Sequence, residues 1–259
     1  MRNPVFEIIH APRQADRTKV CDIHGEYTSH HIMLRSWTQC PTCTKAATAK
    51  IKDRLLEAEK SDRDARWSRQ LGDSCIPMRF QDRTLSRFAA ENAGQQYALE
   101  FSTAYAAEFE RGHSGRCAVF IGEPGTGKTH LACGIALQAM AYGASALFTT
   151  VSKLARRVRE AKSFDADETE SAAIRIFVYP DLLIVDEVGV QSGTDAEARA
   201  LFDVINDRYE QRKPTIFLSN LDIGGVQAAL GARVFDRMRE DGGEVVSFTW
   251  GSHRGRIAA

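Results

Sequence analysis

Apolar and polar positions change rhythm near Pro77. Beyond it, short apolar runs alternate with stretches whose apolar residues recur every three or four positions, the alternation that builds a parallel α/β sheet. Residues 117–121, Cys-Ala-Val-Phe-Ile, read as a strand leading into Gly122, and 130–142 as a helix closed by Gly143. Residues 146–151 read as a second strand, followed by a helix that Ser152 caps and that runs to about Lys162. The acidic stretch 163–172 reads as a loop and helix start, 181–185 as a third strand, 195–211 as a helix and 215–219 as a fourth strand.

Upstream the pattern differs. Residues 1–44 are rich in Cys, His, Thr and Pro, show no sustained helical period and read as a small metal-stapled module. Over 44–70 charges of both signs alternate; Glu59 and Arg63, then Asp62 and Arg66, are placed four apart in the orientation that supports an exposed helix. Ile51, Leu55, Trp67 and Leu71 give it only a thin apolar stripe, and Gly72 and Pro77 mark its end. The chain thus divides into a module at 1–44, a charged linker helix at 45–73 and an α/β domain at 74–259.

Composition narrows the function classes. The 259 residues are 43% apolar and 26% charged, as in ordinary globular proteins, and the formal net charge is zero. Contact with nucleic acid therefore has to come from local patches. Apolar runs fall short of the roughly 18 residues that span a bilayer, and the start of the chain lacks a signal peptide's apolar stretch, so the cytoplasm is the expected compartment. In that reducing setting Cys40-Pro-Thr-Cys43 reads as metal or redox chemistry rather than a disulfide.

The turn after the first predicted strand carries the densest chemistry. Gly122-Glu123-Pro124-Gly125-Thr126-Gly127-Lys128-Thr129 fits G-x-x-x-x-G-K-[ST] at every required position, between a predicted strand and a predicted helix. Its glycines let successive N–H groups point inward, and the following helix N-terminus, with His130, adds its positive dipole end, making a cradle for a polyphosphate. Lys128 is placed to reach the β- and γ-phosphates, and the Thr129 hydroxyl to ligate Mg²⁺. Further on, Leu182-Leu-Ile-Val-Asp186-Glu187 delivers two acids at the carboxyl end of a strand. Asp186 fits the acid that holds the Mg²⁺ shell, and Glu187 the group that orients or deprotonates the attacking water. Asn220 ends the fourth strand, where its amide serves either the γ-phosphate and water or a turn.

Cys21-Asp-Ile-His24 and Cys40-Pro-Thr-Cys43 form two short-spaced pairs, the four N/S ligands that a structural, tetrahedral Zn²⁺ accepts. Zinc would also explain how so small a module folds. His30 and His31 stand as alternatives to His24; Cys75, Cys117 and Cys133 read as buried or incidental thiols. Lys153, Arg156 and Arg157 fall on one helical face with Arg159 nearby, either a lining for single-stranded DNA or an ordinary charged face. Lys45, Lys50, Lys52 and Arg54 offer the zinc module the same pair of readings.

The glycine-rich turn, Asp186-Glu187 and Asn220 resemble Walker A, Walker B and sensor 1 of the AAA+ family, in order. Ser74-Cys-Ile-Pro77-Met-Arg-Phe80 and Leu230-Gly-Ala-Arg233-Val-Phe-Asp236-Arg237-Met-Arg look like the lead-in and arginine-finger segments of bacterial helicase loaders of the DnaC type and of the related transposition helper IstB. The ending Phe248-Thr-Trp250-Gly-Ser-His-Arg254-Gly-Arg256 looks more like that of the DnaC type. The resemblance covers residues 74–259 and implies an AAA+ core without a C-terminal helical lid. It implies a slow ATPase that assembles into an oligomer, a hexamer among the options, where an arginine of one subunit completes the next site. Arg237 is the first choice for that arginine, Arg233 the second, and Arg254 is sensor-2-like. A replicative DNA helicase of the DnaB type and single-stranded DNA are the implied partners, with the segment before the core gripping the helicase. The zinc pattern looks more like phage-encoded relatives. An IstB-like helper that binds duplex DNA and a transposase is the alternative within the family. A P-loop small-molecule kinase lies outside it and needs an acceptor pocket and arginine-bearing lid that the sequence does not display.

Overall fold

The computed structural model describes residues 15–32, 36–163, 168–189 and 195–253. They fall into two units, Met1–Trp67 and Ser68–Ala259. In the first, β1 (Arg17–Cys21) and β2 (Gly25–Ser29) pair antiparallel, with Cys21 opposite Gly25. Helix α1 (Pro41–Asp73) opens on a proline, which has no N–H to leave unpaired in a first turn. It passes through Gly72, so the expected stop is overrun by one residue. Ile51 and Leu55 are exposed, and the side chains of Glu59 and Arg63 lie outside the described ones.

Short 3₁₀ turns at Met78–Phe80 and Leu85–Arg87 lie near the start of the second unit. Its elements run α2 (Ala93–Ala107), β3 (Ala118–Gly122), α3 (Lys128–Ala141), β4 (Ala146–Thr150), α4 (Val151–Glu160), α5 (Glu170–Val178), β5 (Leu182–Val188), α6 (Asp195–Glu210), β6 (Thr215–Ser219), α7 (Ile223–Leu230), α8 (Ala232–Arg239) and β7 (Glu244–Phe248). All five strands are parallel, in the order β4-β5-β6-β3-β7. Among the described residues no helix follows β7, and none is long and apolar enough to cross a membrane.

Both faces of the sheet are covered, which is why its strands read as unbroken apolar runs. Val119, Leu147, Leu183, Val185 and Phe217 pack with residues of α4 to α8 in one core. On the other face Phe120 meets Phe101 of α2 and Phe248 of β7, with ring centres 6.0 and 5.3 Å apart. Phe120 and Phe217 are fully buried, each worth roughly 1.5–3 kcal/mol of apolar transfer.

Local chemistry starts the helices. Asn92, Thr150, Thr169 and Asp222 accept, through side-chain oxygens, the N–H groups of Gln95, Lys153, Ala172 and Gly225. Thr150 thus takes the capping role expected of Ser152, which lies exposed within the first turn. Helices α2, α7 and α8 and strand β7 go beyond the elements read from the sequence. In α2 the buried Ala98, Phe101, Tyr105 and Ala106 recur at helical spacing, a stripe that lies before residue 117, where the strands and helices read from the α/β pattern begin.

Candidate nucleotide-binding site and metal cluster

β3 delivers the glycine-rich turn between β6 and β7. Gly122 has φ +143°, and a Cβ there would stand 2.3 Å from the Phe248 carbonyl oxygen. At Gly127, φ +101°, a Cβ would stand 2.7 Å from the Phe88 ring. Conformation and space both call for glycine at these positions. Thr126 is buried and donates from Oγ1 to the Glu123 carbonyl at 2.8 Å. Lys128 Nζ lies across its own loop, donating to the carbonyls of Gly122 and Glu123 at 2.6 and 2.9 Å.

β5 brings the two acids to this turn. Asp186 Oδ2 accepts from the Thr129 hydroxyl at 3.3 Å and Oδ1 from the Glu187 N–H at 2.7 Å. Burial raises the Asp186 pKa, with the Glu187 charge adding to the rise, against those two hydrogen bonds and Lys128. A carboxylate in this condition gains from a cation, and paired carboxylate and hydroxyl oxygens are donors that suit Mg²⁺. The strand does not end at Val185 as its pattern suggests: it continues to Val188 across a register shift against β6. Glu187 sits in that irregularity, exposed, at φ +63°, a left-handed conformation unusual outside glycine.

One cleft of about 650 Å³ gathers Pro124, Gly125, Gly127, Lys128, Thr129, His130, Asp186, Glu187 and Asn220. Its size suits a nucleotide-scale ligand. Asn220, just beyond β6, is exposed. The His130 imidazole donates from Nε2 to the Thr84 carbonyl at 3.0 Å and meets the Phe88 ring edge-on, with burial lowering its pKa. Arg79, Phe80, Arg83 and His253 also line the cleft. The lead-in motif contains the first two and the ending motif contains His253; nothing in the local pattern marks Arg83.

Two of the three candidate arginines, Arg233 and Arg237, stand apart from this cleft. Arg233 and Arg237 lie one turn apart on α8, and neither lines it. Arg233 is exposed, whereas Arg237 donates to Asn206 Oδ1 and places its guanidinium 5.4 and 5.2 Å from the ring centres of Phe202 and Tyr209. Arg254 and Arg256 lie outside the described residues. On α4, Lys153, Arg156, Arg157 and Arg159 are exposed, opposite buried Val151, Leu154, Ala155 and Val158. Arg157 is paired with both carboxylate oxygens of Glu168, at 3.2 and 2.8 Å.

In the first unit the two short-spaced pairs meet. Cys21 closes β1, His24 sits in the hairpin turn, and Cys40 and Cys43 flank the start of α1. Cys21 and Cys43 sulfurs are 3.6 Å apart, His24 Nδ1 is 3.6 Å from Cys40 and 3.3 Å from Cys43, and all four ligand atoms lie within 4.8 Å of one another. Three sulfurs and one imidazole nitrogen at this spacing suit a closed tetrahedral Zn²⁺ site. The N–H groups of Ile23 and His24 lower the Cys21 thiol to about 6, while the hydrogen bond with Cys21 raises the Cys43 thiol to about 11. His30 pairs instead with Asp16 at 2.9 Å, and His31 packs edge-on against Trp37. Of the other thiols, Cys133 is buried, Cys117 partly so and Cys75 exposed.

The IstB-like ATP binding protein family matches residues 29–249. The replicative helicase loader DnaC of Buchnera aphidicola subsp. Acyrthosiphon pisum is 32% identical over 195 residues, covering 75% of this chain and 78% of the relative. The loader of the same name from Escherichia coli (strain K12) is 31% identical over 206 residues, 79% and 82% of the two chains. In fold the chain is similar to a crystal structure of the DnaC helicase loader, with TM-score 0.59 at 21% identity over 66% of this chain and 99% of that one. It is similar also to DnaI, with TM-score 0.57 at 22% identity over 70% and 95%. With a match that spans most of its length, and relatives this similar, the chain belongs to the IstB-like ATP-binding family that includes the DnaC helicase loaders.

Proposed function

We propose that this chain loads a replicative DNA helicase onto single-stranded DNA during replication initiation, as an oligomeric switch driven by ATP. The observation that carries the reading is the meeting of Thr129, Asp186 and Glu187 with the glycine-rich loop in one cleft. ATP would lie along the loop with Lys128 turned from the Gly122 and Glu123 carbonyls to its phosphates. Thr129 and Asp186 would hold Mg²⁺, which supplies charge neutralisation on the phosphoryl oxygens. Glu187, placed by the bulge, would orient or deprotonate water, and Asn220 would fix that water or the γ-phosphate. Arg237 of a neighbouring subunit is our first assignment for the group that spreads charge at the transferring phosphoryl, with Arg233 beside it. The residues before the core, stapled by zinc through Cys21, His24, Cys40 and Cys43, would grip the helicase, and the α4 face would track DNA phosphates.

Support for helicase loading comes from the relatives' names and from the length they share with this chain. The test is capture of a DnaB-type replicative helicase by the purified chain with ATP, with ADP and without nucleotide, repeated with Lys128→Ala. Nucleotide-dependent capture that the substitution abolishes supports the proposal. Capture of a transposase on duplex DNA, with no helicase retained, replaces it with the IstB-like role.

A further inference from the structure

The segment that follows β7 straps the phosphate-binding loop. Trp250 donates from Nε1 to the Thr126 carbonyl at 2.9 Å, and the His253 backbone N–H donates to the Gly125 carbonyl, also at 2.9 Å. Two successive loop carbonyls are therefore held by one tail. Because a trans peptide is planar, with its C=O and N–H opposed, fixing the carbonyls of Gly125 and Thr126 also fixes the N–H groups of Thr126 and Gly127. Those are donors of the phosphate cradle.

The tail is itself anchored. The Trp250 ring lies 4.9 Å from that of Phe248, and Gly94 at the start of α2 makes room for it, since a Cβ there would stand 3.2 Å from the indole. Buried Gln95 brings its Nε2 to 3.1 Å from His253 Nε2. The Glu91 N–H donates to Gln95 Oε1 at 2.6 Å, so the amide NH₂ faces the imidazole and His253 Nε2 is the acceptor. This network sets the tautomer of a ring that lines the nucleotide cleft.

We propose that Trp250 is a positioning residue for nucleotide binding, holding the loop in its phosphate-accepting shape through Thr126. The proposal rests on reading this loop as the ATP site. Trp250→Phe keeps an aromatic ring against Phe248 and Gly94 but removes the donor. Tyr105→Phe is its control: it too deletes one side-chain donor to a backbone carbonyl, that of Arg116, on the far end of α2 from Asn92.

The experiment is titration of ATP and of ADP into wild type and both variants, followed by calorimetry, with kcat and KM for ATP and melting curves alongside. Trp250→Phe is expected to weaken both nucleotides about fivefold and to raise KM to match, with kcat within about twofold. Tyr105→Phe is expected to bind as wild type does. Unchanged affinity in Trp250→Phe overturns the inference, and so does equal weakening in both variants, which would make the effect one of general stability. If wild type itself binds no nucleotide, the ATP-site reading falls and takes the inference with it; normal wild-type binding with an indifferent Trp250 removes the inference alone.

Discussion

The Thr129 hydroxyl donates to the carboxylate of Asp186 at 3.3 Å across 57 residues of chain, joining the first turn of α3 to the bulge of β5. The link holds in place an acid whose pKa burial has raised above the usual 3.8. As pH climbs from 3.8 through that raised value, the unfolded chain ionises first and the folded state loses stability, a loss that persists at neutral pH. Asp186→Asn removes the penalty. It is expected to raise the melting temperature without nucleotide by on the order of 2 °C, while Mg²⁺-dependent phosphate release disappears. Added Mg²⁺ and ATP should then stabilise wild type more than the variant; an asparagine variant that melts below wild type without nucleotide would contradict this account.

Much of this site is legible in the chain because motif and alternation agree. The turn at 122–129 must lie at a strand-to-helix junction to work, and the apolar run before it is that strand. Asp186 and Glu187 follow an apolar run for the same reason, but the bulge that keeps them inside β5 depends on pairing with β6, which no local window contains. The Cys–His and Cys–Cys pairs are legible from spacing, whereas their convergence needs the β1–β2 hairpin to bring Cys21 to Cys43. What stays hidden is tertiary. The contact of Gln95 with His253 and the bond from Trp250 to Thr126 join positions far apart in sequence. Arg237 is legible as a candidate finger, but its contacts with Phe202, Tyr209 and Asn206 come from the packing of α8 on α6.

Those contacts make Arg237 a restrained arginine, whose planar guanidinium is held by two rings. Arg237→Ala is expected to lower ATPase turnover in the assembled protein by about 10³-fold with nucleotide affinity nearly kept. Arg237→Lys should recover little, because a lysine lacks the planar fork. On the proposed reading of Arg237 as a trans-acting group, mixing Arg237→Ala with Lys128→Ala subunits is expected to restore part of the activity. No recovery over any mixing ratio would place Arg237 in its own subunit's structure instead.

Zinc removal should act on the first unit alone. The cluster joins the hairpin to the start of α1, and β1 is largely exposed, with Val20 at 70% exposure, so its strands have little core to fall back on. One Zn²⁺ per chain is expected by elemental analysis, and Cys21→Ser or Cys40→Ser should lose it. Chelation should abolish helicase capture while ATP affinity changes less than twofold. Loss of ATP binding on chelation would count against independent roles for the two units.

On the α4 face the ion pairs predict unequal effects. Arg157 already faces Glu168 at 2.8 Å, while Arg156 reaches only to 4.0 Å from Glu160. Arg156→Glu is therefore expected to weaken single-stranded DNA binding more than Arg157→Glu, and to flatten its salt dependence by about one phosphate contact. Fluorescence anisotropy with a labelled oligonucleotide at two or more salt concentrations reads both. Undiminished binding by the double charge reversal would leave this face as ordinary solvated surface.

The buried guanidinium of Arg208 ties the strands that position the site. It is 1% exposed and donates to the carbonyls of Phe177, Val178, Pro180, Asp181 and Pro214 and to the hydroxyl of Thr215. One side chain of α6 thus satisfies the backbone leading into β5 and β6. Burial pulls its pKa down to about 10, still well above neutrality, so the group stays charged between pH 5 and 9. Arg208→Met fills much of the volume but leaves those carbonyls without their donor, at a cost of about 3–5 kcal/mol. For a chain of this size that is a fall of roughly 10 °C in melting temperature. Since a lowered base pKa changes folding only when the guanidinium itself titrates, the loss should be the same at pH 6 and pH 9. Arg208→Lys is expected to recover less than half, because one ammonium cannot reach acceptors spread around a planar fork. Urea titration at both pH values measures all of this, and a methionine variant as stable as wild type would show that water replaces the arginine at no cost.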